Sequence, residues 1–271
     1  MTAFASNLGP NHAPDLGSDL GPDPASRRGP DLGTIWGVGL GPGDPELMSV
    51  KADRLLREAR HVAFFRKAGR EGQARRIIDG MLRADVSEIA MEYPVTTEIP
   101  LSDPRYNELL SAFYEESAAR LRALSQAGEE VVVVSEGDPF FYGSFMHLHS
   151  RLSATCPVEV VPAITGMSAA WAATGAPITW GDDVLSTLMG TLPEAELVDH
   201  MQRADALVVM KIGRNIDKIR RALKQAGRYD AAWLVEYAAM PGETVQRLSE
   251  AEDKITPYFS IIVVHGQGRR P

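Results

Sequence analysis

Cysteine is nearly absent: the 271-residue chain has one, Cys156, which excludes an intramolecular disulfide and any metal site built from cysteines alone. Such sparing use of cysteine is expected of a reducing cytoplasm. Long apolar runs are missing too, and no stretch approaches the roughly 18 residues that span a bilayer, so no membrane partner is expected. The first residues carry neither the basic cap nor the apolar run of a secretory signal. Positive charge is in deficit: 28 Lys+Arg face 36 Asp+Glu, net −8. A broad nucleic-acid surface needs the opposite balance, so no nucleic-acid partner is expected. Metal-ligand spacing is also lacking. The histidines at 12, 61, 147, 149, 200 and 265 form no motif, and His147 and His149 fall on different faces of a helix, so no metal is expected.

What is present is an ordinary globular composition, 44% apolar and 24% charged, at a length for one or two domains. Residues 1–33 stand apart. Glycine and proline supply 10 of those 33 positions against 42 of 271 overall, and fragments such as Leu8-Gly-Pro and Pro30-Asp-Leu-Gly recur. A segment so poor in apolar surface cannot offset its ordering entropy, and a disordered tail is expected.

From Thr34 short apolar runs alternate with helical stretches. The pattern predicts strands at Thr34–Gly39, His61–Phe65, Val131–Ser135, Val158–Val161, Val184–Met189, Ala206–Lys211, Ala232–Glu236 and Ser260–His265. Helices are expected near 45–59, 71–83, 104–127, 142–153, 166–174, 193–203 and 214–226. In the first of these, Met48, Ala52, Leu55, Leu56 and Ala59 share one helical face. Val131-Val-Val-Val134 suits a strand buried on both sides, as βαβ crossovers produce. So many strands imply two α/β domains, 34–155 and 156–271, with the boundary at Cys156-Pro157.

Three turns carry the chemical signal. Gly37-Val-Gly-Leu-Gly41-Pro-Gly-Asp-Pro45 follows a predicted strand, but Pro42 stands where a dinucleotide fingerprint needs glycine. Taken alone it is equally a tight turn, with Asp44 as helix cap and Pro45 as first helical residue. Ser135-Glu-Gly137-Asp138-Pro139-Phe-Phe141 repeats the device, and Pro162-Ala-Ile-Thr165-Gly166 offers small residues between strand and helix. Open α/β sheets place ligands beyond the carboxyl ends of their strands, and these turns together suggest one cleft walled by backbone.

In that order, and with Val208-Val-Met210-Lys211, these pieces resemble the tetrapyrrole (uroporphyrin-III/corrin) methyltransferases over essentially all of 34–266. Ala163 stands where the family form has glycine. The resemblance implies two α/β domains with S-adenosyl-L-methionine held in the cleft between them, and a homodimer. Carried over by position, cofactor contacts fall on Pro42, Glu136, Gly137, Asp138, Phe141, Thr165, Gly166, Met210 and Ala238. The Asp138 carboxylate serves a ribose contact or a helix cap, and Met210 serves the cofactor or the core. Glu92-Tyr-Pro-Val-Thr-Thr-Glu98 is similar to a feature of one branch, the precorrin-2 C20-methyltransferases, and otherwise reads as a strand end and loop. Tyr93 and Glu98 are accordingly candidate proton acceptors, with packing as the alternative.

A polycarboxylate acceptor such as precorrin-2 needs cations. Lys51–Arg83 holds ten bases and four acids, a surplus of six, which leaves −14 for the rest of the chain. Arg66, Lys67 and Arg70 follow a predicted strand and are the candidate carboxylate clamps. Two other readings stay open. One is another methylase of the same family, acting on a cobalt-bound or different tetrapyrrole; the other is a non-catalytic nucleotide-binding α/β protein.

Overall fold

The structure, a computed structural model, describes residues 32–96, 99, 103–251 and 255–269. The tail expected over 1–33 lies outside them as far as position 31. Gly33 already belongs to the fold: its N–H reaches Ser125 O at 2.8 Å, and Ser125 Oγ donates to its carbonyl at 2.6 Å.

The first half is a five-stranded parallel sheet. Its strands are β1 (Ile35–Gly39), β2 (His61–Lys67), β3 (Ser87–Tyr93), β4 (Val131–Ser135) and β5 (Val158–Val161), in the order β3-β2-β4-β1-β5. The crossovers carry α1 (Val50–Glu58), α2 (Gln73–Ile77), α3 (Pro104–Gln126) and α4 (Phe145–Leu152). The uniform valines of β4 are explained by two cores. Val132 and Val134 pack with Leu55, Leu56 and Ile77 under α1 and α2, while Val131 and Val133 pack with Leu121, Phe145 and Leu148 under α3 and α4. The apolar face read from Met48 to Ala59 packs into the first of these cores. Its helix begins later than expected, because Asp44 caps a separate 3-10 turn, Pro45–Leu47, and Ser49 caps α1.

The second half is a mixed sheet in the order β6-β7-β10-β8-β9. It comprises β6 (Leu185–Met189), β7 (Ala206–Met210), β8 (Ala232–Glu236), β9 (Thr244–Arg247) and β10 (Ser260–Val264). Helices α6 (Glu194–Arg203) and α7 (Ile216–Gln225) cover one face with Leu197, Met201, Ile219 and Leu223. Helix α5 (Gly166–Ala173) covers the other, through Ala169 and Ala170 against Val235 and Val263.

One boundary is corrected. The change of unit expected at Cys156-Pro157 falls before β5, yet β5 pairs with β1 from Ile35↔Val158 to Val38↔Val161. The first sheet therefore runs to Val161, and the chain crosses to the second at Pro162–Thr165. Two strands were not expected. β3 exposes or half-buries most of its positions and buries only Ile89 and Met91, and β9 is a short edge strand with no fully buried residue. Among the described residues, no helix is long and apolar enough to cross a membrane.

Candidate active site

Parallel strands put all their following loops on one edge. Strands β1 and β4 are neighbours whose next helices, α1 and α4, leave to opposite faces, so the edge opens between them. Here Gly41 and Gly137 form an isolated bridge, with Gly137 N–H donating to Gly41 O at 2.8 Å. A Cβ on Gly39 would lie 2.6 Å from Ala163 Cβ, 2.7 Å from Gly137 O and 2.9 Å from Pro139 Cδ, so the three expected loops meet at one point. At Gly137, φ is +65° and a Cβ would find nothing nearer than Gly166 N at 3.9 Å. That leaves a cradle bounded by the start of α5, which Thr165 caps.

The second sheet supplies the opposite wall. Strands β6, β7 and β8 run in one direction, since β7 and β8 are both antiparallel to β10, so their loops also share an edge. Gly43 backs directly on the loop after β8, where its Cβ would stand 2.3 Å from Met240 Cγ. Gln73 Nε2 donates to Met240 Sδ at 3.8 Å, and Lys211 Nζ lies 5.8 Å from the Tyr142 ring centroid. Among the described residues, the non-glycine positions with left-handed backbone are Tyr142, Lys211, Tyr237 and Ala239, with φ between 53° and 56°. All four sit in loops after β4, β7 and β8. Such conformations cost about 1–3 kcal/mol each and gather where a site demands them. Two surface cavities, about 260 Å³ at Trp36 and Arg60 and about 510 Å³ at Trp180 and Trp233, lie at the opposite ends of the two sheets.

The expected cofactor residues fall into this arrangement as follows. Pro42 is buried in the first loop. No helix begins at Asp138, since Ser144 caps α4; instead Oδ1 accepts Phe140 N–H at 2.8 Å within its own turn and Oδ2 accepts Ala163 N–H at 2.9 Å, tying the second loop to the third. Phe141 is half-buried, 4.9 Å from the Tyr142 ring. Met210 ends β7 and accepts Gly190 N–H at 2.7 Å through its carbonyl. Ala238 packs among Ala169, Ala170, Val235 and Val263. Glu136 is open to water, and its Oε1 accepts Ala74 N–H at 3.0 Å. Desolvation by the surrounding protein pushes its carboxyl above the ordinary value. Local exposure combined with protein at longer range describes a cleft wall.

The candidate proton acceptors fare differently. Tyr93 is half-buried among Phe65, Phe113 and Tyr114, with its ring stacked on Phe65 at 5.6 Å, and its hydroxyl bonds Ser144 Oγ. Burial, aided by Tyr114, pushes the phenol above its ordinary value, which favours the protonated form and fits packing better than proton acceptance. Glu98 lies outside the described residues.

Of the three expected clamps, Arg66 is engaged by an acid of β3. Arg66 Nε donates to Glu92 Oε1 at 2.9 Å, Arg75 Nε to Glu88 Oε2 at 2.6 Å, and Arg83 Nη2 to Asp85 Oδ2 at 2.7 Å. All three acids lie outside the basic window, so the folded chain neutralises much of the surplus seen in the sequence. Arg66 is held by its neighbour on β3, whereas Lys67 is half-buried and Arg70 is exposed on the turn that follows. Sequence reasoning gave no place in the site to Lys211 or His147. Lys211 reaches Tyr142 across the cleft, and its charge, after desolvation and Arg151, helps to lower the His147 imidazole. The signal for Lys211 was its place beside Met210 at a strand end.

No three-residue cluster of His, Cys, Asp or Glu able to hold a metal occurs among the described residues. The convergence of loops at Gly39 yields a prediction. Gly39→Ala forces backbone apart and costs about 1–3 kcal/mol. Urea unfolding reads that loss, and calorimetry should show weakened binding of S-adenosylhomocysteine.

Residues 34–252 match the model of the tetrapyrrole (corrin/porphyrin) methylases. A precorrin-2 C(20)-methyltransferase of Sinorhizobium is 49% identical over 240 residues, covering 89% of this chain and 98% of that protein. A cobalt-precorrin-2 C(20)-methyltransferase of Salmonella typhimurium is 30% identical, covering 87% of this chain and 97% of that one. Among solved structures, a uroporphyrin-III C-methyltransferase of Thermus thermophilus, complexed with S-adenosyl homocysteine, shares the fold at a TM-score of 0.62. It is 24% identical and covers 86% and 92% of the two chains. The chain belongs to the tetrapyrrole methylase family.

Proposed function

We propose that this protein transfers a methyl group from S-adenosyl-L-methionine to C20 of precorrin-2, giving precorrin-3A on the route to cobalamin. The observation that carries the reading is the 49% identity, over nearly the whole of both chains, to a precorrin-2 C(20)-methyltransferase. A cobalt-bound acceptor is the second reading, favoured by the likeness to a cobalt-precorrin-2 enzyme.

The cleft suits the cofactor chemically. Open space at Gly137, the half-buried backbone at Thr165–Gly166 and the half-buried Phe141 and Met210 fit an adenosyl group that is flat, polar at its edges and apolar on its faces. Pro42, Gly137, Thr165, Gly166, Met210 and Ala238 would hold it, with Asp138 fixing the loops rather than contacting ribose. When bound, the sulfonium supplies an activated methyl with a good leaving group, so the residues have only to position the acceptor in line and exclude water. Acceptor carboxylates would meet Lys67, Arg70 and Lys211. Lys211 is the most telling of these, because its backbone is held in a strained conformation where its ammonium faces the first half of the chain. One buried cysteine suits a cytoplasmic setting, and family likeness supports a homodimer; both are part of this proposal.

Incubation with S-adenosylmethionine and precorrin-2, with and without cobalt, should give a product heavier by one methyl; no gain with either acceptor would refute the assignment. Lys211→Asn keeps a residue that tolerates left-handed backbone, so stability should change by under about 0.5 kcal/mol. The acceptor KM should rise roughly tenfold, as for an ion pair of about 1.4 kcal/mol lost. Tyr93→Phe should keep turnover near the unaltered rate and lose about 0.5–1.5 kcal/mol in denaturation, the loss of one hydrogen bond.

A further inference from the structure

The reaction leaves one proton unplaced. Methylation at a meso carbon that already bears hydrogen gives a saturated centre, and conjugation returns only when that hydrogen leaves as a proton. Tyr93 is unsuited to take it, so the receiving group must be sought among the side chains that face the cleft.

Glu136 sits at the carboxyl end of β4, in the middle of the first sheet and beside the Gly41–Gly137 bridge where the loops converge. Its carboxylate is accessible to water, and one oxygen is fixed by Ala74 N–H at 3.0 Å. Two phenols from opposite halves of the chain feel its charge: Tyr93 at the end of β3, and Tyr258 in the segment before β10. Both are raised first by the surrounding protein and then in part by Glu136, although Tyr258 itself is 84% exposed. Glu136 thus has a fixed orientation and an open side at the edge where the loops converge. Ion pairing does not explain it, since the partner on Oε1 is a neutral backbone amide.

We propose that Glu136 is the proton acceptor of the methyl transfer. This rests on the C20-methyltransferase reading above. In the balanced step, the new C20–CH₃ bond is made from the ring's electron pair, and sulfur keeps the pair of the broken S–CH₃ bond. The C20–H pair then returns to the ring, and the proton passes to the Glu136 carboxylate, which becomes the neutral acid. Glu136 afterwards releases it to solvent on its exposed side. Enclosure makes this carboxylate more basic than an ordinary one, which brings it nearer the strength a general base needs at neutral pH. The role departs from the cofactor contact that family resemblance assigns to the same position.

Glu136→Gln tests the assignment, because it preserves shape and an oxygen for Ala74 N–H. Glu136→Asp, which keeps the carboxylate but shortens it, is measured beside it. Thermal unfolding and calorimetric titration with S-adenosylhomocysteine are read together with turnover. The role expects unaltered unfolding and cofactor affinity in Glu136→Gln, a fall in kcat of about 10²–10⁴-fold, and partial recovery in Glu136→Asp. An acceptor deuterated at C20 should turn over more slowly than the protiated one in Glu136→Gln, since proton loss becomes limiting. Turnover close to that of the unaltered protein would overturn the role. So would parallel loss of cofactor affinity and turnover in both variants, which marks a cofactor contact. No methylation by the unaltered protein would instead refute the reading on which the role rests.

Discussion

The site depends on a close approach of backbone at Gly39. Three segments, following β1, β4 and β5, come together where a single added carbon would fall 2.6 Å from Ala163 Cβ and 2.7 Å from Gly137 O. Contact so tight needs a glycine on β1 and leaves Ala163 to fill the remaining space. Asp138 then secures the junction by accepting one N–H from its own loop and one from the third. The cradle at Gly137 and the start of α5 are consequences of that junction. A parallel sheet with helices leaving to both faces brings these ends together, and the strain at Tyr142 and Lys211 marks where the chain is bent to face the cleft.

Charge is organised more locally than bulk numbers suggest. The basic run from Lys51 to Arg83 suggests a positive wall, yet folding sets Glu88 and Glu92 of β3 and the nearby Asp85 against Arg75, Arg66 and Arg83. These exposed pairs add little stability, of the order of 0–1 kcal/mol each, but they cancel field. Lys211, at the end of β7, brings a cation from the second sheet to within 5.8 Å of the Tyr142 ring centroid.

Much of the architecture was legible, and the exceptions have physical causes. The eight strands with continuous or strongly apolar runs stand within a residue or two of expectation, because burial on two faces leaves a plain mark. β3 and β9 escaped because edge strands bury few positions, and the helix expected at 71–83 shrank to Gln73–Ile77. The misplaced boundary has a different cause: Cys156-Pro157 looks like a break, but which sheet a strand joins is decided by partners far away in sequence. The same distance hid Arg66–Glu92, 26 residues apart, and so the fate of the expected clamp. The glycine loops identified the cleft by their order. The bonds from Asp138 to Phe140 and Ala163 and the aromatic packing of Tyr93 depend on partners that only the folded chain brings together.

The central claim is that a cofactor sits between two sheets on loops gathered at Gly39. The most direct measurement is a crystal structure of the protein soaked with S-adenosylhomocysteine. The account predicts the adenosyl group against Gly137, Phe141 and Thr165–Gly166 on one side and Met210 and Ala238 on the other. Density at the cavity by Trp180 and Trp233, or at the opposite end of the first sheet near Trp36, would contradict it.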